Sequence, residues 1–396
     1  MNPYSVSKGS FLGGTLLVAG CCIGAGMLGL PILSGQAGFT PSIFMFLLCW
    51  LFMVTTGLLL LEVNLWYSGE ISIITMADKT LGRFGKIVSW ALFLFLFYSL
   101  MVAYVAASGS LMADFIGEAT GYHPHSHLGG LLFSLFFGVL LYWGTSAVDW
   151  FNRLLMLGLI LSYVSLIGVG ASHVKPELLT HHDWSAATLV IPAVIVSFGF
   201  HNLIPSLTTY FHRDVKLLKW SIILGSTIPL VIYLIWEWII LGIVPLSDFK
   251  TALDQGEIAT EALKNAVGSS WVVKVAQAFA FFAIVTSFLS VALSFLDFLA
   301  DGLKIKKKPQ GKLLLSLLVL GPPFLCALLY PTIFLTALNT AGGFGAVTLF
   351  GILPALMVWK GRESEEGGKL RLVPGGKPLL AAIIAFSVWI MILQIV

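Results

Sequence analysis

Stretches of about twenty apolar residues recur eleven times along the chain, centred approximately on residues 22, 53, 101, 137, 161, 200, 232, 285, 322, 346 and 387, with polar residues gathered between them. Each is long enough to cross roughly 30 Å of hydrocarbon as an α-helix. The pattern predicts an all-α integral membrane protein of eleven transmembrane helices, numbered here as spans one to eleven. Two of the stretches, near residues 10–34 and 188–211, are broken midway. Span one carries Gly24-Ala25-Gly26-Met27-Leu28-Gly29-Leu30-Pro31, and span six carries Ser197-Phe198-Gly199-Phe200-His201-Asn202 with Pro205 following. Glycine costs about 1 kcal/mol per residue in a helix relative to alanine, and proline removes a donor, so both runs predict local unwinding. Unpaired backbone inside a bilayer costs several kcal/mol per group, so such a break persists only where protein, water or a bound solute satisfies it.

The spacing of the breaks adds topology. Spans one and six are five spans apart, and because five is odd the second set enters the membrane from the opposite side. That predicts a 5+5 inverted repeat with discontinuous helices one and six, over about residues 9–173 and 186–360, plus one extra C-terminal helix at about 377–395. The whole chain, 1–396, reads as a single transmembrane domain. Alternating the loops puts eighteen of the 22 Lys and Arg on one face and leaves only Lys175, Lys250, Lys264 and Lys274 on the other. The positive-inside rule makes the first face cytoplasmic, with the N-terminus on it and the C-terminus periplasmic.

Composition closes off the soluble alternatives. With 58% hydrophobic and 10% charged residues and a mean hydropathy of +0.95, the chain lacks the polar surface to cover a water-soluble globule. The net charge of +3 reflects orientation and implies no nucleic-acid partner; no obligate protein partner is expected either. Met1 to Gly9 is too short for a cleavable signal. Cys21, Cys22, Cys49 and Cys326 all fall within spans, which argues against a disulfide framework. Between spans, Glu257 to Ala266 reads as a surface helix over the outer mouth. Lys304 to Lys312 reads as a basic anchor against anionic lipid, and Arg362 to Lys377 as a solvated linker.

The breaks are the candidate chemistry. Pro31 leaves the Met27 carbonyl without its helical donor, and Pro205 does the same to His201. An unwound helix presents free amides at one half-helix and free carbonyls at the other, which suits a zwitterionic amino acid. Its carboxylate fits the amides near Gly24, Ala25 and Gly26, and its ammonium fits carbonyls near Cys22, Ile23, Ser197 and Phe198. Met27, Gly199 and Asn202 belong to the same stretches. Walls for a side chain are expected from Phe198 and Phe200 on span six, Tyr98 and Tyr104 on span three, and Phe282 and Phe288 on span eight; aromatic walls suit an aromatic or large apolar substrate.

Ionisable residues within spans are few, and each is a functional candidate. Glu62, His201 and Asp297 are the proton-coupling candidates. His201 lies in the second break, Glu62 toward the inner end of span two where water is expected to reach it, and Asp297 near the inner end of span eight. Asp114 and Glu237 lie in the outer parts of spans three and seven. Sodium coupling stays open, because Ala283, Thr286 and Ser287 on span eight, with carbonyls near Gly20 and Ile23, would surround a small hard cation with oxygen. The external His123, His125 and His127 read as an exposed loop, not a metal site. No cofactor is expected beyond a coupling ion, H+ or Na+.

Several runs together resemble a known family. They are Ile23-Gly24-Ala25-Gly26-Met27-Leu28, Leu60-Leu61-Glu62-Val63, Gly144-Thr145-Ser146-Ala147-Val148-Asp149 with Phe151-Asn152-Arg153, Ser197-Phe198-Gly199-Phe200-His201, Thr286-Ser287-Phe288-Leu289 and Leu296-Asp297-Phe298-Leu299-Ala300-Asp301. In order and at matching spans they are similar to the bacterial tyrosine and tryptophan permeases of the hydroxy and aromatic amino acid permease family, within the amino acid-polyamine-organocation superfamily. The resemblance implies residence in the bacterial inner membrane, eleven helices in the 5+5 fold, and proton-driven import of tyrosine or tryptophan by alternating access. It supports the first-break glycines and the Ser197 to His201 run as the substrate site. A neutral Gln stands at the place of Glu237 in some relatives, which speaks against Glu237 as an essential proton carrier. Two rival readings are a sodium-coupled symporter of aromatic or neutral amino acids and a sensor that binds without transport. An enzyme is not expected, since no nucleophile, base and orienting acid converge in the sequence.

Overall fold

The computed structural model describes residues 10–69, 71–122, 124–143, 145–267, 270–363 and 370–395. Met1 to Gly9, His123, Gly144 and residues 364–369 of the stretch Arg362 to Lys377 lie outside them. Among the described residues every regular element is a helix, as a chain with no water to satisfy its backbone requires. Among the described residues, ten helices are long and apolar enough to span a membrane, and a bent pair makes the eleventh. Span one is that pair, Phe11–Cys22 and Ala25–Ser34, bent by 45°. Spans two to six are Phe39–Trp66, Arg83–Gly117, Ser126–Trp143, Trp150–His173 and Ala187–Tyr210. Spans seven to eleven are Val215–Ile243, Trp271–Gly302, Pro309–Leu329, Phe334–Gly361 and Gly376–Leu393.

The breaks fall where glycine and proline cluster, and proline alone does not make one. Pro229 sits inside span seven, and Pro322 and Pro323 inside span nine, without ending the helix. In span one, Gly24 is fully extended (φ −177°), a single 3₁₀ turn covers Ala25–Leu28, and the helix resumes at Leu30–Ser34 with Pro31 in its first turn. In span six, Ile191–Ser197 ends at Phe198 and Gly199, a 3₁₀ turn covers Phe200–Leu203, and Ile204–Tyr210 restarts with Pro205 in its first turn. Proline at a helix start costs nothing, because the missing amide hydrogen would be an orphan there. Span ten holds a further irregularity, a π-helical stretch over Ala341–Ile352.

Packing places the breaks at the centre. The inner half of span one lies against span seven, and the 3₁₀ turn of its break contacts span eight and the outer half of span six. On the outer face the expected surface helix is present over Ala259–Ala266, and a second one, Leu246–Gln255, precedes it through Gly256 in the left-handed conformation (φ +66°). Leu246, Phe249, Ala252 and Leu253 recur at helical spacing in this first helix, a signal present in the sequence. Its Phe249 covers Gly35 so closely that no side chain fits there. The outer end of span one is further tied down by Asp183 N–H to Ala37 O (2.8 Å) and a His181 Nε2–Gln36 O contact (2.8 Å).

Candidate functional site

The two breaks meet face to face. A Cβ added to Gly26 would lie 2.6 Å from Ser197 Oγ, and one on Gly24 would collide with Ser287 Oγ. Glycine at these positions is therefore required by the close approach of three helices. The Ala25 amide donates to Ser287 Oγ (2.8 Å), so a hydroxyl from span eight already occupies one of the donors that unwinding exposed. The Gly24 amide has no protein acceptor among the described residues. Ser197 Oγ is buried without a partner.

Span seven satisfies the carbonyls. Tyr233 donates its hydroxyl to both Cys22 O (2.6 Å) and Ser197 O (3.1 Å), which pins one break to the other. Trp236 Nε1 donates to Met27 O (2.9 Å), the carbonyl that Pro31 leaves orphaned. Ser34 Oγ donates to Glu237 Oε2 (2.6 Å). Tyr233, Trp236 and Glu237 stand at i, i+3 and i+4, one face of the helix. All three are fully buried behind the breaks. The Cys22 and Ser197 carbonyls, expected to face a substrate ammonium, are thus turned toward Tyr233. Sequence reasoning missed Tyr233 and Trp236, because span seven is apolar nearly all round and carries no periodicity that marks one face.

In front of the breaks lies a cavity of about 1220 Å³ walled by spans one, three, six and eight. Its wall runs past Ser290, Ser294 and Phe298 on span eight and Asn202, Ser206 and Thr209 on span six to Ile71–Ile74, beyond the inner end of span two. It therefore opens on the face that holds most of the Lys and Arg. On the opposite side the path is shut by apolar packing: a Cβ at Gly29 would lie 2.9 Å from Leu338 Cδ2 and 3.1 Å from Leu335 Cδ2. Of the residues singled out from the sequence, Gly20, Cys22, Ile23, Gly24, Ala25, Gly26, Tyr104, Ser197, Gly199, Asn202, Thr286 and Ser287 line this cavity, with Cys21 beside them.

The remaining candidates are placed elsewhere. Met27, Phe198, Phe200, His201, Ala283 and Phe288 are fully buried and absent from the cavity wall. Phe198 packs edge-on against Tyr233 (5.2 Å), and Phe288 packs against Phe133 (5.0 Å) on span four. Phe200 fills the space over Gly57 on span two. His201 is stacked between Phe200 (4.8 Å) and Phe350 (4.7 Å), with Nε2 3.0 Å from Thr56 Oγ1. Tyr98 spends its hydroxyl on Leu318 O (3.0 Å). Thr286 Oγ1 donates to its own helix, at Phe282 O (2.8 Å) and Ala283 O (3.1 Å).

The acids differ from expectation too. Glu62 is fully buried, not reached by water, because Arg362 clamps it in two-point fashion (Nε to Oε1, 2.7 Å; Nη2 to Oε2, 2.9 Å). Leu372 N–H also donates to Glu62 Oε2 (2.8 Å), and Arg362 donates to Val373 O (2.9 Å). Residues 370–375 are hence fastened to span two instead of forming a free linker. Asp297 is exposed and paired with Lys307 (2.7 Å), and Asp114 with Lys264 (3.2 Å). Among the described residues, Glu237 has no cationic partner, its Oε1 has no hydrogen-bond partner at all, and no group of three His, Cys, Asp or Glu is placed to hold a metal ion.

Comparison with known proteins bears on what this arrangement does. Residues 7–394 match the model of the tryptophan/tyrosine permease family. The chain is 32% identical to the tryptophan-specific transport protein of Pseudomonas aeruginosa, over 96% of this chain and 93% of that one. It is also 32% identical to tyrosine-specific transport system 1 of Haemophilus influenzae, over 91% and 92%. In fold it is similar to MhsT in complex with L-phenylalanine (TM-score 0.68, 13% identity, 98% of both chains). A manganese transporter of Eremococcus coleocola shares the fold at TM-score 0.63 and 12% identity, over 99% of this chain and 87% of that one. At these identities the structural likeness establishes the fold and not the cargo.

Proposed function

The chain belongs to the tryptophan/tyrosine permease family, and on that premise we propose that it imports tyrosine or tryptophan across the bacterial inner membrane as a secondary active symporter. The observation that carries this reading is the cavity that opens on the Lys- and Arg-rich face and ends at the paired breaks. The same molecule is sealed on its other side by Gly29 against Leu335 and Leu338. A carrier caught with its inner side open has this shape, and the outward-open partner state would arise as the outer seal parts and the breaks approach on the inner side. The N-terminus is cytoplasmic and the C-terminus periplasmic in this reading.

The amino acid's carboxylate is assigned to the Gly24–Gly26 stretch, where the Gly24 amide is free and Ser287 yields the Ala25 amide. The ammonium is assigned to Ser197 Oγ, which is buried and unpartnered at the cavity wall. Tyr104, Phe93 and Phe97 on span three offer the aromatic wall. The proton is the proposed coupling ion. The test is uptake and counterflow of labelled tyrosine and tryptophan in proteoliposomes at fixed pH, with and without sodium. Counterflow is expected in both media; its absence would leave only a sensor, and uptake abolished by sodium removal would replace the proton with sodium.

A further inference from the structure

Away from the paired breaks, the main cavity holds one more polar group with nothing to bond. Among the described residues, two buried side-chain oxygens on its wall have no hydrogen-bond partner, Ser197 Oγ and Asn152 Oδ1. The first is already assigned to the substrate ammonium. The second lies on span five, outside both breaks, and an unmet buried acceptor is unfavourable until a donor arrives. The terminal torsion of an asparagine side chain is broad, so the amide turns toward a ligand with little strain.

Asn152 stands at the depth of the first break. Spans five and eight run antiparallel, with Tyr163 against Phe279 (5.6 Å) and Gly158 so close to Phe282 that an added Cβ would collide with its ring. The step from Gly158 to Asn152 along span five, matched along span eight, sets Asn152 level with Phe288, next to Ser287. The rings agree with this register: Phe151 and Phe288 both pack on Phe137 (6.1 and 6.2 Å). Since Ser287 Oγ holds the Ala25 amide, a substrate whose carboxylate is seated at Gly24–Gly26 lies at the height of Asn152.

Around this amide the wall is mostly apolar. Met156, one turn along the same face of span five, lines the cavity together with Leu96, Leu100 and Val291. Among the described residues, no Asp, Glu, Lys, Arg or His lines it, so a charged substrate side chain would lose its hydration and meet no counter-charge. A single acceptor in such surroundings favours an apolar ring that carries one donor. The indole N–H and the phenol O–H each supply that donor. The ring of phenylalanine supplies none.

We propose that Asn152 is a specificity residue, which accepts a hydrogen bond from the ring donor of tryptophan or tyrosine and so separates both from phenylalanine. The assignment rests on the transport reading above and on its place for the carboxylate. A site built around a hydrogen bond rejects an analogue that lacks the donor far more strongly than an apolar pocket rejects a missing methylene.

The test is competition in counterflow, with the intact chain in proteoliposomes and labelled tryptophan or tyrosine, whichever it exchanges. The competitors are matched pairs: tryptophan with its benzothienyl isostere, in which sulfur replaces the indole N–H, and tyrosine with phenylalanine. In the wild type the member with the donor is expected to compete about tenfold more tightly, as one hydrogen bond to an otherwise unmet acceptor would give. Asn152→Leu should bring each pair to the same half-inhibiting concentration by weakening the donor-bearing member alone, and Asn152→Gln, which keeps an acceptor, should retain part of the preference. A purely structural role would weaken all four competitors together in Asn152→Leu and leave their ratios as in the wild type, and that result would overturn the assignment. A wild type that is active in counterflow but takes both members of each pair equally would overturn it with no variant needed, so the test stands even where the leucine variant does not fold. A wild type inactive in counterflow would overturn the transport reading, and the role of Asn152 with it.

Discussion

The two breaks are alike in sequence logic and opposite in use. Span one gives up its backbone: Gly24 and Gly26 carry no side chains, the Ala25 amide reaches Ser287, and the stretch lies along the cavity. Span six gives up its side chains to packing: Phe198 goes to Tyr233, Phe200 to Gly57 and His201 to Phe350 and Thr56, and only Ser197, Gly199 and Asn202 remain at the cavity. One break acts as a surface that can be bonded, the other as an anchor that holds the first in place. A discontinuity in a membrane helix therefore does not by itself mean that its side chains read a ligand.

Substitutions separate these two uses. The largest loss of uptake is expected from Gly26→Val, whose Cβ would sit 2.6 Å from Ser197 Oγ and whose branched side chain would occupy the place assigned to the carboxylate. Uptake should be lost, and substrate binding that persists unchanged in a folded variant would remove the backbone site from span one. His201→Ala comes next, as a large-to-small change in a stacked, fully buried position, at about 2–5 kcal/mol. The thermal midpoint in detergent should fall while the order of preference among tyrosine, tryptophan and phenylalanine stays the same. A changed order would return His201 to the role of ligand reader and erase the contrast.

Tyr233→Phe bears on both breaks at once. It leaves Cys22 O and Ser197 O without their shared donor, at about 1–3 kcal/mol, and should lower stability and uptake together. If the variant were as stable and active as the wild type, the clamp between the breaks would have no energetic standing. The smallest effect is expected from Ser287→Ala, about 1 kcal/mol for one neutral hydrogen bond, seen as a modest change in the concentration for half-maximal uptake. Gly168→Ala on span five, off the cavity wall and with nothing within 4 Å of the added carbon, serves as the silent reference.

The number of spans and the places of both breaks were legible because they depend on local quantities. Hydropathy over about twenty residues sets a span, and the glycines at 24, 26 and 29 with Pro31 set an unwound turn whatever surrounds it. Even the orphaned Met27 carbonyl followed from Pro31 alone. What filled that orphan did not: Trp236 is more than two hundred residues away in sequence, and one tryptophan among twelve carries no mark of its partner. Glu62 shows the same limit. A carboxylate near a helix end reads as hydrated until Arg362, three hundred residues on, is brought against it.

By itself, then, the chain's order of residues determined an all-helical membrane protein with two interrupted crossings, because backbone hydrogen bonding and burial in lipid are decided within each segment. Only the tertiary structure decided which side chains meet the cavity, which carbonyls Tyr233 and Trp236 claim, and which face stands open. A helix that is apolar on every side gives no periodic signal of what it will touch, so those choices are made when the helices pack.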